Sequence, residues 1–191
     1  KVGIIKLPSI SNFSDFDPLD NEESLLIEWI RESQNLNKYD FIILPGSKQT
    51  IKDQIFLENS GLSQEIREYS NSNGNIIGIC GGLQMLGTSL EDHYSKECPK
   101  IYSQQKTKGI GLLPLKTTFF EKKLTRQISS ESLWPCQSKI SGFEIHNGHT
   151  ELDNSHNSLK INPIFKDLNL GWYKENKAVS YTHLRAHETT N

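Results

Sequence analysis

Several things are scarce in this chain of 191 residues. It has three cysteines, Cys80, Cys98 and Cys136. They are too few and too scattered for a disulfide framework. None stands with another Cys or a His at zinc-ligand spacing, so no metal site is expected. A reducing, cytoplasmic setting is the default expectation. No apolar run approaches the roughly 20 residues that a membrane span needs. Mean hydropathy is −0.55, and the start shows no signal peptide. An excess of charge is missing too. A net charge of −2 gives no broad basic surface, so neither nucleic acid nor membrane is an expected partner. There is no internal repeat. With those classes set aside, the length suits one ordinary domain with a real core, or at most two small ones.

Neither end reads as a natural boundary. Residue 1 is Lys, and the chain enters at once into Val2–Leu7, an apolar run of strand length. A fragment with a missing upstream domain is the expectation. At the other end, Val179–Asn191 reads VSYTHLRAHETTN. This stretch has no apolar period and resembles the translation of a sequencing adaptor. It is expected to be a foreign scar; a genuine histidine-containing tail is the alternative. The expected domain is therefore 1–178, with 179–191 set apart.

Between these ends, strand-like and helix-like segments alternate. Val2–Leu7 is the first strand, and Ile10–Leu19 is a polar loop. Asp20 with Glu23 resembles a capping box. Leu25, Leu26, Trp29 and Ile30 then share a face at helical spacing, which predicts a helix to about Ser33. Phe41–Leu44 is a buried strand stopped by Pro45-Gly46. Helices are predicted near Lys48–Leu57 and over Gly61–Ser70, where Leu62, Ile66 and Tyr69 form a stripe. Asn73-Gly74 is a turn, Asn75–Ile79 a strand and Gly81–Leu90 a helix. This alternation predicts an α/β three-layer sandwich around a mostly parallel sheet. The second half reads as more β-rich, with strands at Gly111–Phe120, Lys139–His146 and Leu170–Tyr173. Thr125–Gln137 is polar and reads as an exposed excursion.

The informative segment runs from Asn75 to Gly87, NIIGICGGLQMLG. An apolar strand passes through Gly-x-Cys-Gly-Gly directly into a helix, the layout of a nucleophile elbow. Such a turn strains the backbone of the nucleophile, and neighbours without Cβ avoid clashes. A helix N-terminus favours thiolate at Cys80. The N–H of Gly81 would point toward a developing oxyanion. The competing reading is a buried structural Cys beside a glycine-rich packing turn; the coincidence of strand, glycines and helix favours the functional one. Cys98 and Cys136 lack this context. A second turn, Leu44-Pro45-Gly46-Ser47-Lys48, follows a strand and opens a helix. Its backbone could supply another oxyanion donor, and it lacks the glycine spacing of a phosphate loop.

Together these motifs resemble the class I-type glutamine amidotransferases, in the branch found in cobalamin synthesis. The resemblance rests on Gly78–Gly87, on Leu44–Lys48 and on Ser141–Thr150, SGFEIHNGHT. The opening Leu7–Leu19, LPSISNFSDFDPL, is similar to the start of that domain in the cobyric acid synthase family. It argues for that family; another member of the same branch, such as an a,c-diamide synthase or a cell-wall amidating glutaminase, is the alternative. A class I amidotransferase-like, flavodoxin-like fold is implied. The resemblance further implies that Cys80 attacks the side-chain amide of L-glutamine, with Gly46 and Gly81 holding the oxyanion. Gln84 and His146 are implied near the substrate; their alternatives are helix packing for Gln84 and a hydrogen-bonded structural role for His146. No cofactor is implied in this domain. ATP and Mg²⁺ belong to an upstream synthetase domain, the implied partner, which makes amides on carboxylates of a corrinoid at side chains b, d, e and g. The family's general base is a histidine in a Gly-Thr-Tyr-Leu-His-Gly segment near the domain's end. That segment is not found; Tyr181-Thr182-His183 imitates part of it from within the adaptor-like tail, so His183 is the candidate base. An amidotransferase-like binding module without activity is the alternative that this departure leaves open. His93, His149 and His156 read as surface residues.

Overall fold

The computed structural model describes residues 1–95, 97, 106–156, 160–166, 168–174, 178–181 and 184–186. In chain order, β1 (Val2–Ile5) leads through a 3₁₀ turn at Ser14–Phe16 to α1 (Asp17–Asp20). β2 (Ile27–Ile30), β3 (Phe41–Leu44), α2 (Thr50–Asn59), α3 (Leu62–Asn71), β4 (Asn75–Ile79) and α4 (Gly81–Leu86) follow. The rest is strands: β5 (Ser89–Glu91), β6 (Lys106–Lys108), β7 (Leu115–Ser132), β8 (Ser138–Leu152), β9 (Asn162–Phe165), β10 (Leu168–Lys174), β11 (Ala178–Tyr181) and β12 (Leu184–Ala186).

These strands form one sheet, in the order β12-β8-β7-β9-β10-β11-β4-β3-β1-β2, with β5 and β6 branching from β7. The half from β11 to β2 is parallel. Its central strands are apolar on both faces: Ile4, Ile5, Ile42 and Leu44 are fully buried. That is the pattern expected of parallel strands covered by helices. α4 packs on β4, and α2 packs on α3 and α4. The stripe of Leu62, Ile66 and Tyr69 on α3 is buried, and the Tyr69 hydroxyl donates to the Tyr39 carbonyl at 3.0 Å. The other half is antiparallel along the path from β12 to β11 and is dominated by the long β7–β8 hairpin, while the branching β5 joins β7 in parallel.

Three expectations from sequence are corrected. The helix predicted from Asp20 to Ser33 is instead the short α1, a turn and strand β2, so Asp20 closes a helix rather than capping one. Ile27–Ile30 pairs in parallel with Val2–Ile5, and Leu26, on the supposed apolar face, is exposed. The helix predicted from Gly81 to Leu90 stops at Leu86, because Ser89–Glu91 leaves to pair with β6 and β7. The polar stretch 125–137 is no excursion up to Ser132: it continues β7, held by regular pairing to β8 with much of its surface in water.

Candidate functional site

Cys80 stands where β4 hands over to α4. Its backbone has φ +51° and ψ −105°, a left-handed conformation that a side chain rarely adopts. The neighbouring glycines let the turn sit close to β3. A β-carbon on Gly82 would lie 1.9 Å from the Leu44 carbonyl oxygen, and one on Gly81 would lie 2.9 Å from the Ser47 nitrogen. The strained turn and its glycine neighbours are the elbow geometry read from sequence. Cys80 is partly exposed and borders a cavity of about 430 Å³.

The Pro45–Lys48 turn forms an adjoining wall. It is tied to the loop after β1. Ser11 N–H donates to the Gly46 carbonyl and Lys48 N–H to the Ser9 carbonyl, both at 2.8 Å. Asp53 of α2, fully buried, accepts the Ser9 N–H at 3.1 and 3.3 Å and the Ser47 hydroxyl at 2.6 Å. Burial pushes the Asp53 carboxyl up, against the pull of those donors. Gly46 and Gly81 are buried; Ser47 and Lys48 line the cavity.

Gln84 lies one turn beyond Cys80. It is buried, borders the cavity, and accepts from the Thr50 hydroxyl at 3.5 Å. His146 comes from β8 on the far wall, with Nε2 2.6 Å from Oε1 of Glu144. Glu144 is buried and also accepts from Arg126 Nε. The structure therefore gathers Cys80, Gln84 and His146 around one cavity. His183 and Cys98 lie outside the described residues, as does the His156 side chain. The chain leaves β11 at Tyr181, which is paired with Ile79, the residue before Cys80. Cys136, His93 and His149 are exposed.

Sequence reasoning missed Glu97. It lines the cavity, and its Oε2 accepts the Thr50 N–H at 2.6 Å, at the start of α2. Its own N–H donates to Asp92 at 2.9 Å. Burial pushes the Glu97 carboxyl up to about 7; Asp92 and Asp53 push the same way and the Thr50 N–H opposes them. Its segment has no apolar period or motif, so sequence offers no signal. The shift has a measurable consequence. The group's ordinary value is 4.5 and its folded value about 7. Between these the folded chain holds the proton more often than the unfolded one, so stability falls as pH rises through that window. The expected loss from this group is roughly 3 kcal/mol between pH 4.5 and pH 7.5. Urea unfolding at both pH values reads it, and Glu97→Gln is expected to remove most of the difference.

Comparison with known proteins follows the same lines. A family model described as a CobB/CobQ-like glutamine amidotransferase domain matches residues 1–190. Cobyric acid synthase of Prochlorococcus marinus strain MIT 9312 is 84% identical over 177 residues, covering 93% of this chain and 35% of that protein. The same-named protein of strain MIT 9301 is 80% identical over 176 residues, 92% of this chain and 35% of the relative. The chain thus spans about a third of the length of the curated relatives it matches. Among solved structures, PurLQS from Thermotoga maritima matches with a TM-score of 0.66 at 16% identity, over 97% of this chain and 86% of that one. A structure described as a glutamine amidotransferase matches equally well, over 94% and 87%. These two share the fold. No helix among the described residues is long and apolar enough to cross a membrane.

Proposed function

The chain belongs to the CobB/CobQ-like glutamine amidotransferase family, and from that premise we propose that it releases ammonia from L-glutamine with Cys80 as the nucleophile. The observation that carries this reading is the strained Cys80 turn opening onto a cavity shared with Gln84 and His146. In the proposed reaction the Cys80 sulfur attacks the side-chain amide carbon. The thiol proton passes through a general base to the leaving nitrogen, ammonia departs, and water hydrolyses the thioester to glutamate and free thiol. Backbone N–H groups at Gly46 and Gly81 are our candidates for holding the oxyanion. His183 is the candidate base, and Gln84 and His146 the candidate substrate contacts.

The name shared by the Prochlorococcus relatives supports a second step in a longer protein. There the ammonia would amidate corrinoid carboxylates in a synthetase portion that uses ATP and Mg²⁺, in a cytoplasmic setting. No cofactor is proposed for this domain. Ammonia release from L-glutamine, followed with the chain and its His183→Ala variant, tests the base. A fall of about 100-fold or more is expected. Equal turnover in the two would remove His183 from the mechanism.

A further inference from the structure

The β7–β8 hairpin is regular except at one place. Phe119 pairs with Gly148 and Leu124 with His146, so residues 120 to 123 of β7 stand against the single Asn147 of β8. Bulges of this kind re-aim side chains and gather beside active sites. This one puts Lys123 on the wall of the Cys80 cavity. Among the described residues no carboxylate lies within ion-pair distance of Lys123. Glu97 lines the same cavity from a different segment, fixed by the Thr50 N–H at the start of α2. Among the described residues no lysine or arginine pairs with it. The cavity therefore carries, from separate elements and on the same lining as Cys80, one carboxyl group, Glu97, and two lysines, Lys123 and Lys48. A free α-amino acid presents the complementary pair, an ammonium and a carboxylate on one carbon, and charged hydrogen bonds to such groups are strong.

We propose that Glu97 and Lys123 read the head group of the substrate amino acid, Glu97 taking its α-ammonium and Lys123 its α-carboxylate. This rests on the glutamine reading above and adds the two residues that set selectivity for a free amino acid over other carboxamides. Both are positioning residues: they hold the far end of the substrate so that its amide meets Cys80. A cap on α2 alone would explain Glu97 without any selectivity, and the test separates the two roles.

The test is the rate at which Cys80 is alkylated in the full chain, with the modified peptide mapped by mass spectrometry. Three reagents are compared: 6-diazo-5-oxo-L-norleucine, its counterpart without the α-amino group, and its counterpart with the α-carboxylate converted to an amide. Iodoacetamide, which has no head group, reports the intrinsic reactivity of the thiol. The parent chain is expected to favour the complete amino acid by about tenfold over each altered reagent. Glu97→Gln should erase the preference for the amino group, and Lys123→Met the preference for the carboxylate, each with little change toward iodoacetamide. Lys48→Met, on the adjoining wall, should retain both. Variants that keep both preferences overturn the proposal and leave Cys80 as the nucleophile. Loss of the carboxylate preference in Lys48→Met rather than Lys123→Met overturns the assignment to Lys123. A parent chain that reacts with iodoacetamide at Cys80 and not with the diazo reagent overturns the glutamine reading itself, and this proposal with it.

Discussion

Cys80→Ala is expected to lower glutamine hydrolysis by roughly 10⁴- to 10⁶-fold, to the level of the uncatalysed reaction assisted only by binding. The sulfur is the one atom in the cavity proposed to form a bond with substrate carbon, so nothing nearby replaces it. Ammonia release at saturating L-glutamine measures the loss, and a variant that keeps a tenth of the parent rate would remove Cys80 from the chemistry. The backbone adds a second arm. At φ +51° and ψ −105°, alanine carries the same strain as cysteine, so Cys80→Ala should unfold at nearly the parent's denaturant concentration. Glycine occupies that region freely. Cys80→Gly is therefore expected to be as inactive as the alanine variant yet more stable than the parent, by about 1–2 kcal/mol. Chemical unfolding of the three proteins side by side reads this ordering. It would identify the turn as a place where stability is given up to aim a reactive atom.

The second large effect is at Gly82. Its missing side chain is what lets α4 approach the end of β3, since a β-carbon would fall 1.9 Å from the Leu44 carbonyl oxygen. Backbone lies on both sides of the contact and Leu44 is fully buried, so no flexible side chain can swing away. Gly82→Ala must push α4 off the sheet or break the end of β3. A cost of about 3–5 kcal/mol is expected, which lowers the melting temperature by roughly 10 °C in a protein of this size. The displaced helix carries the elbow with it, so Cys80 alkylation by the diazo reagent should slow even where the variant stays folded. A melting temperature within a degree or two of the parent would show that the contact relaxes without strain.

The parts of the fold that were legible are those where one local rule acts alone. Asn75–Ile79 could only be a buried strand, and the glycines around Cys80 only a tight handover to a helix. Leu25–Ile30 shows how the same logic fails. Leu25, Leu26, Trp29 and Ile30 fit a helical face, but Ile27–Ile30 gains more by adding an outer strand to β1. There residues of both faces find cover, with Trp29 against Phe13 and Phe16. Spacing alone does not reveal that partner. Residues 125–132 were obscured for the opposite reason. A hairpin strand held by β8 needs few apolar residues, so its polarity reads as loop. The cavity divides the same way. Cys80, Gln84 and His146 announce themselves by motif, whereas Glu97 and Lys123 arrive from unpatterned sequence and a bulge, and only the assembled sheet brings them beside the thiol.

Asp53 has a consequence of its own. One carboxyl group clasps Ser9 and Ser47, which belong to turns following different strands. The chain's opening turn and the cavity wall are thereby yoked, and neither can shift without dragging the other. A loosened clasp, as in Asp53→Ala, would disturb the rim of the cavity from beneath while leaving every group on its surface chemically unaltered.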